Sequence, residues 1–170
     1  MPSDGGLANT VRLFDVAEPA SASSNDFEKL VEQFKRQRSI DWSIPEAFLC
    51  LLLSAAISDG HFSVEEQLEI EALSRRSRAL KSISASQLAS ANATINLRLK
   101  TRPEGLREAC ESLPTDMRLP LFAHCVDIVL ADGQLLPTEM DFLNRIMELM
   151  EINPAEGRRV MEVLLIKNRF

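Results

Sequence analysis

The sequence predicts an all-α fold, and three observations carry that expectation. Leucine, alanine, isoleucine and methionine bear the apolar load while aromatic residues make up only 5% and tyrosine is absent, a balance suited to helix-on-helix packing rather than to sheets. Helix-start signals of the Ser-x-x-Glu type precede apolar residues spaced three and four apart. An Asp-Gly turn between two such segments occurs twice, as Ser58-Asp59-Gly60 and Ala131-Asp132-Gly133, each with a glutamate seven residues after its aspartate. At 170 residues and 45% hydrophobic, the chain is long enough for one well-packed core and too short for a second.

Residues 1–25 are rich in Ser, Ala, Pro and Gly, with only the short Val11-Arg12-Leu13-Phe14 cluster to interrupt them; a flexible arm is expected there and a single helical domain over 26–170. Phe27, Leu30, Val31 and Phe34 recur at helical spacing behind Asn25-Asp26, which predicts a first helix. Ser43 with Pro45 and Glu46 opens the next, stopped by Asp59-Gly60. Ser63-Val64-Glu65-Glu66 starts a helix to about Ala79, and Ser84-Ala85-Ser86-Gln87 another to about Leu99. Arg102-Pro103-Glu104 begins a shorter one ending near Ser112. After Pro114 a helix with Pro120 near its front runs to Asp132-Gly133, and Pro137 with Glu139 opens one to about Met150. Asn153-Pro154 caps the last, expected to turn Val160, Val163, Leu164 and Ile166 inward. Seven to eight helices and no strand result.

The net charge of −6 and pI near 5.0 argue against a non-specific nucleic-acid partner for the chain as a whole. The charge is uneven, because residues 74–107 hold eight Lys or Arg against one acidic residue, Glu104. A solvated helix surface and a dock for an anionic partner are both open for this region. Cys50, Cys110 and Cys125 are odd in number and have no Cys-x-x-Cys spacing, and the Met-Pro-Ser-Asp start lacks a leader pattern; reduced thiols and a cytoplasmic setting are expected. The longest apolar run, residues 47–57, is far short of the roughly twenty residues a membrane-crossing helix needs.

The two turns superpose at one fixed offset of 73 residues, from Asp59 to Asp132, and the register holds beyond them: Ala56 pairs with Val129, Ile70 with Leu143 and Leu73 with Ile146. Two helix-turn-helix hairpins related by a pseudo-two-fold would bury both apolar faces. Asp-Gly-x5-Glu is also the second half of a calcium EF-hand loop. The positions that should supply the earlier ligands are Ala55 and Ile57 in one copy and Ile128 and Leu130 in the other, so neither turn is an EF-hand. What remains is two carboxylates per turn, Asp59 with Glu66 and Asp132 with Glu139. Each has a capping explanation. If the turns meet, the four could also share a hard cation such as Ca²⁺ or Mg²⁺, which would relieve their mutual repulsion.

At these residues the sequence resembles the TerB family of tellurite-resistance domains, over about residues 26–168. The matching elements are Ala55-Ala56-Ile57-Ser58-Asp59-Gly60 with Glu66, and Ile128-Val129-Leu130-Ala131-Asp132-Gly133 with Glu139. The resemblance implies an all-helical domain with internal pseudo-symmetry, a cytoplasmic bacterial setting, a link to tellurite resistance or wider stress responses, and divalent-cation binding at the acidic residues of the repeated turns. Ser58 replaces the alanine usual before the first Asp, and Leu136-Pro137 stands where Ser63-Val64 stands in the first copy.

Other chemistry is thinly represented. His61 and His124 belong to no metal-ligand spacing, and no phosphate loop, nucleophile elbow or Cys/His pair is present. Met147, Met150, Met161 and Phe142 suit helix packing. Three functions are compatible with these residues, in descending order: a non-enzymatic stress-response module that binds a divalent cation through Asp59, Glu66, Asp132 and Glu139 and docks a protein partner; a metal-free helical scaffold; and a hydrolase using a metal-bound water.

Overall fold

In the computed structural model the chain divides into two units, residues 1–35 and 36–170. The residues described are 42–169 except Ser82, together with Glu28, Lys29 and Val31. Those last three are helical and belong to the first unit; the rest of the expected helix from Phe27 to Phe34, and the expected arm over 1–25, lie outside the described residues.

The described residues of the second unit form seven helices and no strand: α1 (Ile44–Ala56), α2 (Val64–Arg76), α3 (Ala85–Thr101), α4 (Gly105–Glu111), α5 (Thr115–Val129), α6 (Pro137–Leu149) and α7 (Pro154–Lys167). The starts are set by local chemistry. The Ser43, Ser63 and Ser84 hydroxyls accept from the N–H groups of Glu46, Glu66 and Gln87, whose side chains accept in return from the capping N–H groups. Such a cap contributes about 1 kcal/mol. Asn153 caps α7 by accepting from the Ala155 N–H at 2.8 Å.

The core is built on α1 and α5. Nine of the 13 residues of α1 are buried, which makes it a central rather than a surface helix. It packs on α5 and touches α2, α3, α4 and α6, while α5 packs also on α2, α6 and α7. Leu49, Leu51 and Leu52 of α1 and Leu121, Phe122, Val126 and Ile128 of α5 are almost wholly withdrawn from water. Cys50, Cys110 and Cys125 are fully buried free thiols, and burial pushes Cys50 and Cys110 up to about 12. They act as small apolar side chains.

The chain between α6 and α7 is closed from α5, where Arg118 Nη1 donates to the Met150 carbonyl and to Glu151 Oε2, both at 3.0 Å. In α7 the buried residues are Gly157 and Met161, with Val160 and Leu164 half-buried. Val163 and Ile166, expected inside, are each 63% exposed. The reason lies at Gly157, where a Cβ would collide with Met147 Sδ of α6. A close approach there fixes the rotation of α7, and Val163 and Ile166 fall outside the row 157, 160, 161, 164 that this rotation buries.

The two Asp-Gly turns have the same backbone. Gly60 and Gly133 take φ of 90° and 80°, and their N–H groups donate at 3.0 Å to the carbonyls of Ile57 and Leu130. The flanking helices end at Ala56 and Val129 and restart as the 13-residue α2 and α6, all at the 73-residue offset seen in the sequence. Since an added Cβ at either glycine meets nothing within 4 Å, substitution costs backbone strain alone. Gly60→Ala and Gly133→Ala are each expected to lower unfolding free energy by about 1 kcal/mol, additively in the double variant, as read from urea midpoints at unchanged slope.

Candidate functional site

Each turn places its aspartate and glutamate by hydrogen bonds within the turn. Asp59 Oδ1 accepts from the His61 N–H at 2.8 Å and Asp132 Oδ1 from the Gln134 N–H at 2.9 Å, a local Asx turn in both copies. Glu66 Oε2 accepts from the Ser63 N–H at 2.7 Å and Glu139 Oε2 from the Leu136 N–H at 2.6 Å. Leucine has no acceptor to offer, so the second copy makes only the return half of the capping box. Replacing Ser by Leu therefore leaves the placement of Glu139 unchanged. Both glutamates are buried, at 6% and 3% exposure, whereas Asp132 is exposed and Asp59 intermediate.

The environment of these glutamates emerges by comparison with a third capping glutamate, Glu46. All three lose solvation on burial, which alone would raise the carboxyl pKa. For Glu46 this is outweighed by hydrogen bonds from the Ser43 N–H and hydroxyl and by the charge of Arg98, and its pKa falls below the ordinary value. Arg98 lies 3.6 Å from Glu46 Oε2, with its guanidinium 4.8 Å over the Trp42 ring. Glu66 and Glu139 make the same kind of cap, yet their pKa values are raised. Burial is the first cause in both. The carboxylates of Asp59 and Asp132 add to it at Glu66, and those of Asp132, Asp59 and Glu66 at Glu139.

Each glutamate thus feels the aspartate of the other turn as well as its own. The four side chains predicted from sequence do not already form a ligand cage: among the described residues no three His, Cys, Asp or Glu side chains are arranged to hold an ion. One oxygen of each of the four carboxylates is engaged by backbone. His61 is largely exposed, with Nδ1 3.6 Å from Asp59 Oδ2.

His124 is separate from these carboxylates. Half-buried against Phe48 at a ring distance of 6.0 Å, it has a lowered pKa, burial being the main cause. It lines a cavity of about 480 Å³ with Leu73, Arg76, Asp116, Asp127 and Lys167, and none of the four turn carboxylates reaches that cavity. Sequence reasoning also missed the contacts that fasten α1 to α3 and α4: Arg98 on Glu46, and Trp42 Nε1 and Arg102 Nη1 on Glu108 at 3.4 and 3.1 Å.

No helix among the described residues is long and apolar enough to cross a membrane. Searches of curated proteins and of solved structures return no match. The family model described as Tellurite resistance protein TerB matches residues 45–162, a span that starts at the front of α1, takes in both turns and ends within α7. With that span covering most of the sequence, the chain belongs to the TerB family.

Proposed function

We propose that this chain is a non-enzymatic, tellurite-resistance-associated stress-response module of the cytoplasm that binds a divalent cation, Ca²⁺ or Mg²⁺, between its two Asp-Gly turns and docks a protein partner on its helix faces. The observation that carries the cation reading is the opposite behaviour of otherwise similar caps. Glu46 has an arginine neighbour and ionises easily; Glu66 and Glu139 have carboxylate neighbours and resist ionisation. A bound cation would do for the second pair what Arg98 does for Glu46. Because one oxygen of each carboxylate is already engaged, the cation would keep part of its water shell, which suits hard ions with oxygen ligands.

The capping bonds also favour a second reading, a metal-free scaffold in which all four carboxylates serve the turns alone. Asp59→Ala with Asp132→Ala separates the two. The double variant removes a turn bond from each copy under any reading and so lowers stability somewhat. Under the cation reading it also loses the stabilisation that millimolar Ca²⁺ or Mg²⁺ gives the wild-type chain, which reaches about 2.7 kcal/mol when the ion is at a hundred times its Kd. Equal loss with and without the ion would favour the scaffold.

A metal-dependent hydrolase ranks below both. A metal-bound water could act as a nucleophile, but the sequence shows no nucleophile elbow, phosphate loop or other substrate motif beside it. Metal-dependent turnover of a phosphate or ester panel, abolished by Glu66→Ala, would overturn that ranking.

A further inference from the structure

The helices α2 and α3 both pack on α1 but touch one another little, so a groove opens between them, floored by α1 at one end. Leu49 and Leu53 of α1, Ile70 of α2 and Leu88 of α3 line one end together with Phe62, which is 49% exposed. The other end is lined by Leu80 and Ile83 and carries Arg75 and Lys81. The two hollows, about 320 and 460 Å³, adjoin at Glu71 and Leu88, which line both. The α3 wall is itself poorly covered, since over 17 residues only Ile95 is fully buried among those whose side chains are described.

The charge at the second end is unspent. Among the described residues Arg75 and Lys81 make no ion pair, whereas the neighbouring Arg76 is held by Glu69 at 3.4 Å. We infer that this groove is the docking site for an amphipathic helical segment of a partner protein, its apolar side chains seated on Leu53, Phe62 and Leu88 and its acidic residues lying over Arg75 and Lys81. The apolar floor selects side chains recurring at helical spacing, and the cationic end fixes polarity and favours an acidic partner. A groove flanked by the 13-residue α2, about 20 Å long, accommodates three to four turns of such a helix. The inference rests on the docking half of the proposed function and is independent of its cation half.

The test is fluorescence anisotropy on the full chain with three labelled 16-residue peptides: a helical one with leucines at i, i+3, i+4 and i+7 and glutamates clustered at one end, the same peptide with lysine for each glutamate, and a scrambled version of the first. The acidic peptide is expected to bind at least tenfold more tightly than either control, and to weaken about tenfold between 50 and 300 mM salt. Arg75→Glu with Lys81→Glu should remove most of that affinity, and Phe62→Ala part of it. Circular dichroism and thermal midpoints near wild type establish that these surface variants fold. Equal affinity for all three peptides, no binding of the acidic one, or undiminished binding by the charge-reversed variant would overturn the assignment. So would self-association of the chain abolished by Phe62→Ala, which would make a second copy the occupant. Cation titration of the Arg75→Glu, Lys81→Glu variant, whose changes lie outside both turns, should be unchanged, so failure of the groove and failure of the cation site are read separately.

Discussion

At neutral pH and without divalent cations, Glu66→Gln with Glu139→Gln is expected to be more stable to urea than the wild-type chain. The amide keeps an acceptor for the Ser63 and Leu136 N–H groups and removes two charges that the fold holds against desolvation and against the other carboxylates. The sign follows from proton linkage. Both folded-state pKa values lie above the ordinary value of 4.5, so the native state binds protons more tightly than the unfolded chain in the window above 4.5. The ionised pair therefore costs stability at neutral pH. That cost shrinks as pH falls through the folded-state pKa values and is gone once the unfolded glutamates are protonated too. The advantage of the Gln variant over wild type should follow it and vanish toward pH 4. Taking the difference between the two proteins cancels the opposite contributions of Glu46 and His124, whose lowered pKa values make the fold less stable in acid. A variant less stable than wild type by the same margin at every pH would show that the glutamates are caps and nothing more.

Phe122→Ala is expected to have the largest effect on folding. The side chain is fully buried in α5, the helix that packs on α1, α2, α6 and α7. Truncation removes the transfer free energy of the ring and leaves a cavity that surrounding helices fill only in part, at a cost of about 3–5 kcal/mol. Against a typical total of roughly 5–15 kcal/mol, that should shift the urea midpoint steeply downward. Val163→Ala, on the exposed side of α7, should stay within about 0.5 kcal/mol of wild type. Comparable small effects from the two would mean that α5 is not the centre of the core.

The contrast between those residues marks how far the sequence could be read. The turns and caps were legible because their causes are local: a glycine that tolerates positive φ, a serine hydroxyl within reach of the N–H three residues on, a proline at the first helical position. The 73-residue register was legible because it needs only comparison of the chain with itself. Helix ends drifted by two or three residues, as at Ala79, where the serine at position 77 closes α2 at Arg76 instead. The inward side of α7 was misjudged because its sequence is apolar in several helical phases, and the deciding contact, Gly157 on Met147, comes from another helix. The four carboxylates stood out in the sequence by their repeated spacing, but the cross-turn influence on Glu66 and Glu139 and the engagement of one oxygen of each by backbone became visible only with the hairpins placed. The α1–α2–α3 groove left no local signal at all, since it arises from two helices sharing a floor without sharing a boundary.

The most direct measurement is a calorimetric titration of the metal-stripped wild-type chain with Ca²⁺ and Mg²⁺ in turn, with Mn²⁺ and Zn²⁺ for comparison. A cation shared by the two turns predicts saturable binding of at least one hard cation at a single site per chain, accompanied by a rise in thermal midpoint and lost in the Asp59→Ala, Asp132→Ala variant. No heat and no shift in midpoint with any of the four ions would contradict it and leave the duplicated turns as capping chemistry.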